Sequence, residues 1–189
     1  YLDPEEMKVA FAFLLSMPGA PFLYYGDEIG MRQLDLVSKE GGYDRTGART
    51  PMQWGEGKNA GFSEAEAEAL YLPQDPAADA PTAEAGRADP DSLWNEVRKL
   101  ARLRHATPAL QSRGAIEFVY CEPDKYPLAY LRTEGDQRVL VILNPADRPT
   151  RFLCDHKLGQ AIYQLGELPT QDRDVVTVPA ASAAFFLVD

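Results

Sequence analysis

The chain has 189 residues, 45% of them hydrophobic, and its 29 acidic and 19 basic side chains give a net charge of −10. This acidity argues against nucleic acid and anionic membranes as partners, because both repel a negatively charged protein. Two cysteines, Cys121 and Cys154, are too few for a disulfide framework or a zinc cluster, so both are expected to be free. No cofactor and no metal ion is expected.

A helix is predicted at the start of the chain. Asp3-Pro-Glu-Glu6 places Asp at the N-cap, Pro at the first position and Glu at the third, and apolar residues continue almost all round through Val9–Leu15. This run is far shorter than the ~20 residues of a membrane span. Pro18-Gly19 ends the helix, and a strand is predicted from Pro21 through Tyr25. Such a pair is typical of a parallel α/β sheet, although the sequence supplies no other clear βα unit.

Residues 26–88 are mostly loop-like, with one or two helical turns expected near Glu64–Leu70. Within them, Arg49-Thr-Pro-Met-Gln-Trp54 gathers hydrogen-bond donors and flat apolar surface that no secondary-structure period explains. Such groups suit a hydroxyl-rich ligand, and long loops after strands carry binding residues in α/β enzymes. The polar stretch before this segment contains Asp44 and Arg45, which could lie near a cleft or form a solvated ion pair.

A second helix and a β-rich region follow. Asp89-Pro-Asp-Ser92 caps the helix, whose apolar face contains Leu93, Val97, Leu100 and Leu103. After Pro108, seven short β-like runs are separated by turn residues, a pattern typical of an antiparallel sandwich. These runs are Ile116–Cys121, Leu128–Thr133, Val139–Leu143, Thr150–Cys154, Ala161–Leu165, Val175–Val178 and Ala183–Val188. We therefore predict two domains, residues 1–108 and 109–189.

Three stretches carry a family likeness. Pro18-Gly-Ala-Pro-Phe-Leu-Tyr-Tyr-Gly-Asp-Glu-Ile-Gly-Met31 resembles the eighth-strand segment of glycoside hydrolase family 13, the α-amylase family. The Arg49–Trp54 segment with Asn59-Ala-Gly-Phe-Ser63 resembles the loop of its α-glucosidase, oligo-1,6-glucosidase and trehalose synthase branch. Leu72-Pro-Gln-Asp-Pro76 and Ala88-Asp-Pro-Asp-Ser-Leu93 resemble that branch's passage into the eighth helix. The resemblance implies an α/β plus all-β fold: the last βα unit of a (β/α)₈ TIM barrel with its long loop, then a C-terminal antiparallel β-sandwich domain.

The resemblance also implies an enzyme that hydrolyses or transfers α-glucosidic bonds of oligosaccharides with retention. Family members use an aspartate nucleophile, a glutamic acid/base and a second aspartate after the fourth, fifth and seventh strands, all of which would precede Tyr1. Retention needs two carboxyl groups about 5 Å apart, and the side chains of the adjacent Asp27 and Glu28 are expected to diverge. No catalytic residue is therefore assigned, and this chain alone is expected to be inactive.

Four residues are predicted to bind substrate: Glu28, Arg49, Gln53 and Trp54. By similarity to the family, Arg49 would donate to hydroxyls of the sugar at the −1 position, and its alternative role is to pin the loop by bonding carbonyls. Trp54 would offer an apolar face to a sugar ring or form the loop's own core. Glu28 follows the C-terminal end of the predicted strand, and its alternative role is to bond loop amides. Tyr24 and Tyr25 are expected to be structural.

The expected ligand is an α-linked glucose oligosaccharide. The apolar segments Val9–Leu15 and Phe22–Tyr25 are expected to be covered by the remainder of the barrel or by a second copy of the chain. An alternative function is a carbohydrate-binding or interaction β-sandwich module, against which Tyr120, Tyr126, Tyr130 and Tyr163 mostly fit strand alternation. Hydrolysis or transfer, linkage, chain length and oligomeric state stay open. The compartment also stays open, with the cytoplasm favoured because no targeting signal is recognisable.

Overall fold

The computed structural model describes residues 4–36 and 45–189, so the predicted N-cap Asp3 lies outside the described residues. The chain divides into two compact units. The first contains Tyr1–Phe22 and Val97–Asp189, and the second contains Leu23–Glu96. The predicted boundary between residues 108 and 109 concerns the domains of a complete barrel enzyme and stays a prediction. No helix of the described residues is long and apolar enough to cross a membrane.

The C-terminal part of the first unit is antiparallel β structure, as predicted, with eight strands among the described residues. They are β1 Ala115–Tyr120, β2 Leu128–Glu134, β3 Gln137–Asn144, β4 Thr150–Leu153, β5 Ala161–Leu165, β6 Thr170–Asp172, β7 Val175–Val178 and β8 Ser182–Leu187. A five-stranded sheet has the order β1-β2-β3-β8-β5, and a three-stranded sheet has the order β4-β7-β6. The sequence missed only β6, whose three residues are too few to display an alternating pattern.

The two sheets enclose one hydrophobic core. Alternate residues of β2, β3 and β8 meet side chains of β4 and β7 there, among them Leu131, Ile142, Phe152 and Val176. Because neighbouring strand residues point to opposite faces, Tyr130 and Arg132 of β2 lie on the other face of the larger sheet. Both residues are nevertheless fully buried. The larger sheet is therefore covered on both faces, which explains the continuous apolar run of β3.

Helix α1, Pro4–Ser16, contacts β3 and β8 in the first unit. Its buried apolar residues are Val9, Phe11, Ala12 and Leu15. The predicted helix is confirmed. The expectation that Val9–Leu15 needs a cover from outside the chain is corrected, because the chain's own sheet lies against this helix. Phe13 alone among the large side chains of that stretch stays exposed, at 40%.

Two arginines bind the carbonyl groups at the C-terminal end of α1. Arg104 lies in helix α3, Leu93–Ala106. Its guanidinium donates at 2.9, 2.7 and 2.6 Å to the carbonyls of Leu15, Met17 and Gly19. Arg132 donates to the carbonyl of Ser16 and, at 2.8, 3.0 and 3.1 Å, to those of Gln111, Gly114 and Ala115. Helix ends leave carbonyls without partners and attract cations, so these arginines tie the end of α1 to α3 and β2.

Tyr130 predicts a loss of stability at high pH. Its hydroxyl lies 2.6 Å from Ser16 Oγ, and burial raises the pKa of Tyr130 to about 12, against the opposing effects of the Ser16 hydrogen bond and the Arg132 charge. The unfolded chain loses this proton near pH 10, whereas the folded protein keeps it. The free energy of unfolding is therefore expected to hold its full value below pH 10 and to fall by about 2–3 kcal/mol by pH 12.

Urea denaturation at several pH values between 9 and 12 measures this loss. Tyr130→Phe should flatten the decline, because the replaced ring has no proton to lose. Tyr126→Phe is the matched control, since Tyr126 is half exposed, and it should keep the wild-type slope. Equal slopes for Tyr130→Phe and wild type would show that Tyr130 does not cause the decline.

The second unit is built from loops and short helical turns around a small core. Ile29, Met52 and Ala83 form that core, with Met31 and Trp94 packed against it. The 3₁₀ turns are Asp27–Ile29, Thr46–Arg49, Lys58–Gly61 and Ala67–Ala69. The sequence missed helix α2, Ala83–Ala88, although Thr82 Oγ1 caps it by accepting the Ala85 N–H at 3.1 Å.

The predicted strand over Pro21–Tyr25 is not realised. Among the described residues this segment pairs with no other strand. A parallel strand requires hydrogen-bonded neighbours, and the described part of the chain supplies none for it. The segment therefore leaves apolar side chains exposed: Phe22 at 91%, Leu23 at 41%, Tyr24 at 48% and Tyr25 at 42%.

Candidate functional site

A cavity of ≈ 380 Å³ in the second unit gathers three of the four predicted substrate-binding residues. Glu28, Arg49 and Trp54 line it. The rest of its wall is apolar or aromatic: Tyr25, Pro51, Met52, Phe62, Leu70, Tyr71 and Leu72. A largely apolar pocket of this size with a few polar groups is typical of a small-molecule site. No three His, Cys, Asp or Glu side chains of the described residues cluster as metal ligands.

Arg49 lies at the end of the 3₁₀ turn Thr46–Arg49. Thr46 and Gly47 are buried while Arg49 is exposed, so the turn presents the guanidinium outward. The Arg49 side chain makes no hydrogen bond or ion pair with another described residue, and the loop-pinning alternative therefore finds no support in this part of the chain. Asp44, just upstream, lies outside the described residues.

Gly47 sets the position of this turn. The Leu34 N–H donates to the Gly47 carbonyl at 3.1 Å, and a Cβ on Gly47 would lie 1.6 Å from the Leu34 carbonyl oxygen. Because that obstacle is backbone, Gly47→Ala is expected to lower the free energy of unfolding by about 1–3 kcal/mol and to displace Arg49. Urea denaturation followed by tryptophan fluorescence measures the loss.

The matched control is Ala48→Ser, one residue along the same turn, where the side chain is exposed and no change in stability is expected. A wild-type unfolding midpoint for Gly47→Ala would show that the Leu34 backbone moves aside without cost.

Tyr25 and Glu28 join the cavity wall to the backbone of their own unit. The Tyr25 hydroxyl donates to the Thr50 carbonyl at 3.0 Å, which ties this segment to the loop that carries Arg49. Burial raises the pKa of Tyr25, Tyr24 adds to the rise, and the Arg49 charge opposes it. Glu28 Oε2 accepts the Gly26 N–H at 2.8 Å, so one carboxylate oxygen already bonds a loop amide, as the alternative for Glu28 proposed.

Gln53 and Trp54 are adjacent but differently placed. Gln53 is only 2% exposed and its side-chain amide donates to the Pro81 carbonyl, so it anchors the loop and does not line the cavity. Trp54 is 52% exposed. The Trp54 backbone N–H donates to the Ala60 carbonyl at 2.9 Å, and the Trp54 backbone carbonyl accepts the Glu84 N–H at 2.8 Å. A fixed backbone thus presents an open indole, while Met52 supplies the loop's core. The substrate-binding role of Gln53 stays a prediction.

A tight turn adds wall residues that were not among the predicted substrate-binding residues. Asn59 and Ala60 both have left-handed backbones, with φ of 51° and 53°. The Asn59 side-chain amide donates to the Ser63 and Ala65 carbonyls at 2.7 and 2.8 Å. This turn precedes Phe62, which lines the cavity together with Tyr71. Phe62 stands within the family-like stretch Asn59–Ser63 and Tyr71 directly precedes the stretch Leu72–Pro76, but neither was predicted to bind substrate.

Known proteins match much of the chain. A family model described as "Alpha amylase, catalytic domain" matches residues 3–113, more than half of the sequence. The chain belongs to the α-amylase family. Trehalose synthase from Thermus thermophilus is 36% identical over 148 residues, which cover 75% of this chain and 14% of that protein. Oligo-1,6-glucosidase from Parageobacillus thermoglucosidasius is 30% identical over 201 residues, covering 90% of this chain and 34% of that protein.

A solved structure confirms the fold of this α-amylase family chain. Trehalulose synthase from Pseudomonas mesoacidophila MX-45 matches 98% of this chain and 38% of that protein, with a TM-score of 0.82 at 21% identity. This likeness shows the fold alone. The predicted family and the predicted fold class, a barrel end followed by an antiparallel β-domain, are therefore confirmed. No closed barrel is present among the described residues, and the chain spans between 14% and 38% of these relatives.

Proposed function

We propose that this α-amylase family chain supplies one wall of the glucoside-binding site of an enzyme that hydrolyses or transfers α-glucosidic bonds with retention. The observation that carries the proposal is the cavity in which Glu28, Arg49 and Trp54 meet. The relatives trehalose synthase and oligo-1,6-glucosidase support, by their names, the substrate class. Hydrolysis and transfer stay alternatives, because excluding water from the glycosyl-enzyme depends on groups outside this cavity.

The proposed roles follow from the contacts of each side chain. The exposed Arg49 lines the cavity, and its planar fork suits two neighbouring hydroxyl groups. The indole of Trp54 offers an apolar face to a sugar ring. Glu28 has a second carboxylate oxygen that can accept a hydrogen bond from a sugar hydroxyl while the first accepts the Gly26 N–H. Gln53 does not contact the sugar itself but anchors the loop that holds Trp54.

The catalytic carboxyl groups are proposed to come from the rest of the barrel. Retention requires a nucleophile and an acid/base about 5 Å apart, whereas Glu28 is the one carboxylate lining the described cavity. The proposed boundary between the barrel part, residues 1–108, and the β-domain, residues 109–189, is supported by the end of the family match at residue 113.

Assays on maltose, isomaltose and trehalose test the proposal. The 189-residue chain alone is expected to release or transfer no glucose, while the protein in which this chain is joined to the remaining barrel is expected to act on at least one of these sugars. Turnover by the chain alone would overturn the assignment of the catalytic carboxyls. Inactivity of the complete protein on every α-glucoside would overturn the function.

The exposed Phe22 predicts association of the isolated chain. We propose that the remaining barrel, or a second copy, covers Phe22–Tyr25, since a contiguous exposed apolar segment favours burial. Phe22→Ser is therefore expected to reduce concentration-dependent association in sedimentation-velocity experiments. Leu153→Ser is the matched control, because Leu153 is 70% exposed on β4 and should not affect association. Equal association of wild type and Phe22→Ser would contradict this cover.

A further inference from the structure

A groove of ≈ 570 Å³ lies in the first unit, between the turn after β1 and the loop from β3 to β4. Its wall includes two tyrosines, two carboxylates and two guanidinium groups: Tyr120, Tyr126, Asp124, Asp147, Arg148 and Arg151. All of them belong to the β-domain part of the first unit. The groove is therefore separate from the cavity that contains Arg49, and its chemistry does not depend on the proposed function.

Internal hydrogen bonds hold both walls of the groove. On one side, the fully buried Asn144 donates to the carbonyls of Arg148 and Pro179 at 3.0 and 2.7 Å. Its side-chain oxygen accepts the Ala146 N–H at 3.2 Å. On the other side, the Lys125 backbone N–H donates to the Glu122 carbonyl at 3.2 Å. The backbone that carries the lining side chains is thereby fixed before any ligand binds.

Several polar groups of the wall have no partner in the described part of the chain. The side chains of Asp124, Asp147, Arg148 and Arg151 make no hydrogen bond or ion pair with another described residue. The hydroxyl oxygen of Thr150, also in the wall, is buried and has no hydrogen-bond partner there. Lys125 also lines the groove, but its charge is paired with Glu122. The four unpaired charged side chains, two carboxylates and two guanidinium groups, have formal charges that sum to zero.

The aromatic rings complete the surface. Tyr126 is 51% exposed, and the Tyr120 ring is held against Phe152 with centroids 5.6 Å apart. In the sequence these tyrosines mostly fit strand alternation, and Tyr120 does pack against the core of the two sheets. In the structure both contribute to the groove wall, because Tyr126 belongs to the turn between β1 and β2 and Tyr120 ends β1.

We propose that this groove binds a neutral saccharide. Carboxylates accept hydrogen bonds from hydroxyl groups, guanidinium groups donate to hydroxyl oxygens, and a tyrosine face packs on the C–H face of a pyranose ring. A phosphate would meet two carboxylates as well as two arginines and the Glu122-paired Lys125, in a protein of net charge −10. A purely apolar ligand would leave four charged side chains desolvated and unpaired. A polyhydroxylated, uncharged ligand satisfies both sets of groups.

Amide chemical shifts of the full 189-residue chain, titrated with maltotetraose, test the site. Saturable shifts are expected for residues 122–126 and 146–151, with a dissociation constant in the millimolar range. Tyr126→Ala and the double variant Arg148→Ala/Arg151→Ala should each weaken this binding at least tenfold. Arg102→Ala, an exposed arginine on α3, should bind as wild type does. If Tyr126→Ala disturbs the fold, the double arginine variant still tests whether the groove binds the saccharide.

Two further titrations separate this site from others. Trp54→Ala changes the cavity of the second unit, so groove shifts that persist in this variant support the proposal, and groove shifts that vanish overturn it. Inorganic phosphate should leave residues 122–126 and 146–151 unshifted. Equal shifts with phosphate would identify an anion site, and absence of any maltotetraose shift in the groove would overturn saccharide binding without touching the catalytic proposal.

Discussion

Arg132→Met is expected to lower the free energy of unfolding by about 3–5 kcal/mol. The Arg132 guanidinium is fully buried and has no carboxylate partner among the described residues. It donates to four backbone carbonyls, those of Gln111, Gly114, Ala115 and Ser16. Burial and the nearby Arg104 lower the pKa of Arg132, so burying this cation has a cost. Methionine removes that cost but leaves the carbonyls without donors in the interior, and the second effect is expected to be the larger.

Urea denaturation followed by far-ultraviolet circular dichroism measures the change. Arg132→Lys should also destabilise the protein, because one ammonium group cannot reach carbonyls arranged for a planar fork. Arg113→Met is the matched control, since Arg113 is exposed and its stability effect should be close to zero. If Arg132→Met unfolds at the wild-type urea concentration, the four carbonyls find other donors and the proposed tie between α1 and β2 is wrong.

Arg132 also marks the limit of prediction from sequence. The alternation of β2 identifies a strand, and the apolar run of β3 identifies a sheet covered on both faces. Nothing in either pattern indicates that the end of α1 lies over β2, since Ser16 and Arg132 are 116 residues apart in the chain. By contrast, helix α3 was predicted from a local signal: Ser92 Oγ accepts the Asn95 N–H at 3.2 Å at its start. Local hydrogen bonds leave a sequence pattern, whereas contacts between distant segments do not.

The same distinction applies to the candidate site. Arg49 and Trp54 stand in one conspicuous segment, and the structure places both in the cavity wall. Phe62 follows the left-handed Asn59 and Ala60, a backbone conformation that the sequence does not predict for alanine. Tyr71 lies nine residues further along and lines the same wall. Gln53 shows that a residue within the motif need not line the cavity. It stands beside Trp54 in the motif, yet its side chain is directed to the Pro81 carbonyl.

Arg49→Ala is expected to lower kcat/KM for α-glucosides by about 10²–10³-fold in the protein that joins this chain to its remaining barrel. Two charge-assisted hydrogen bonds of about 1.5–2 kcal/mol each account for that factor. Arg49→Lys should recover only part of it, because an ammonium group is a point donor and cannot bridge two hydroxyls as a fork does. Steady-state kinetics on maltose and trehalose measure the change. A larger effect on kcat than on KM would locate the contact in the transition state.

Stability separates this role from loop pinning. Arg49 is exposed and makes no hydrogen bond with another described residue, so Arg49→Ala should leave the unfolding midpoint unchanged. Arg45→Ala, an exposed arginine just before the same turn, should leave both kinetics and stability at wild-type values. If Arg49→Ala instead keeps kcat/KM and lowers the unfolding midpoint, Arg49 holds the loop and the sugar contacts must come from Trp54, Glu28 and the remaining barrel.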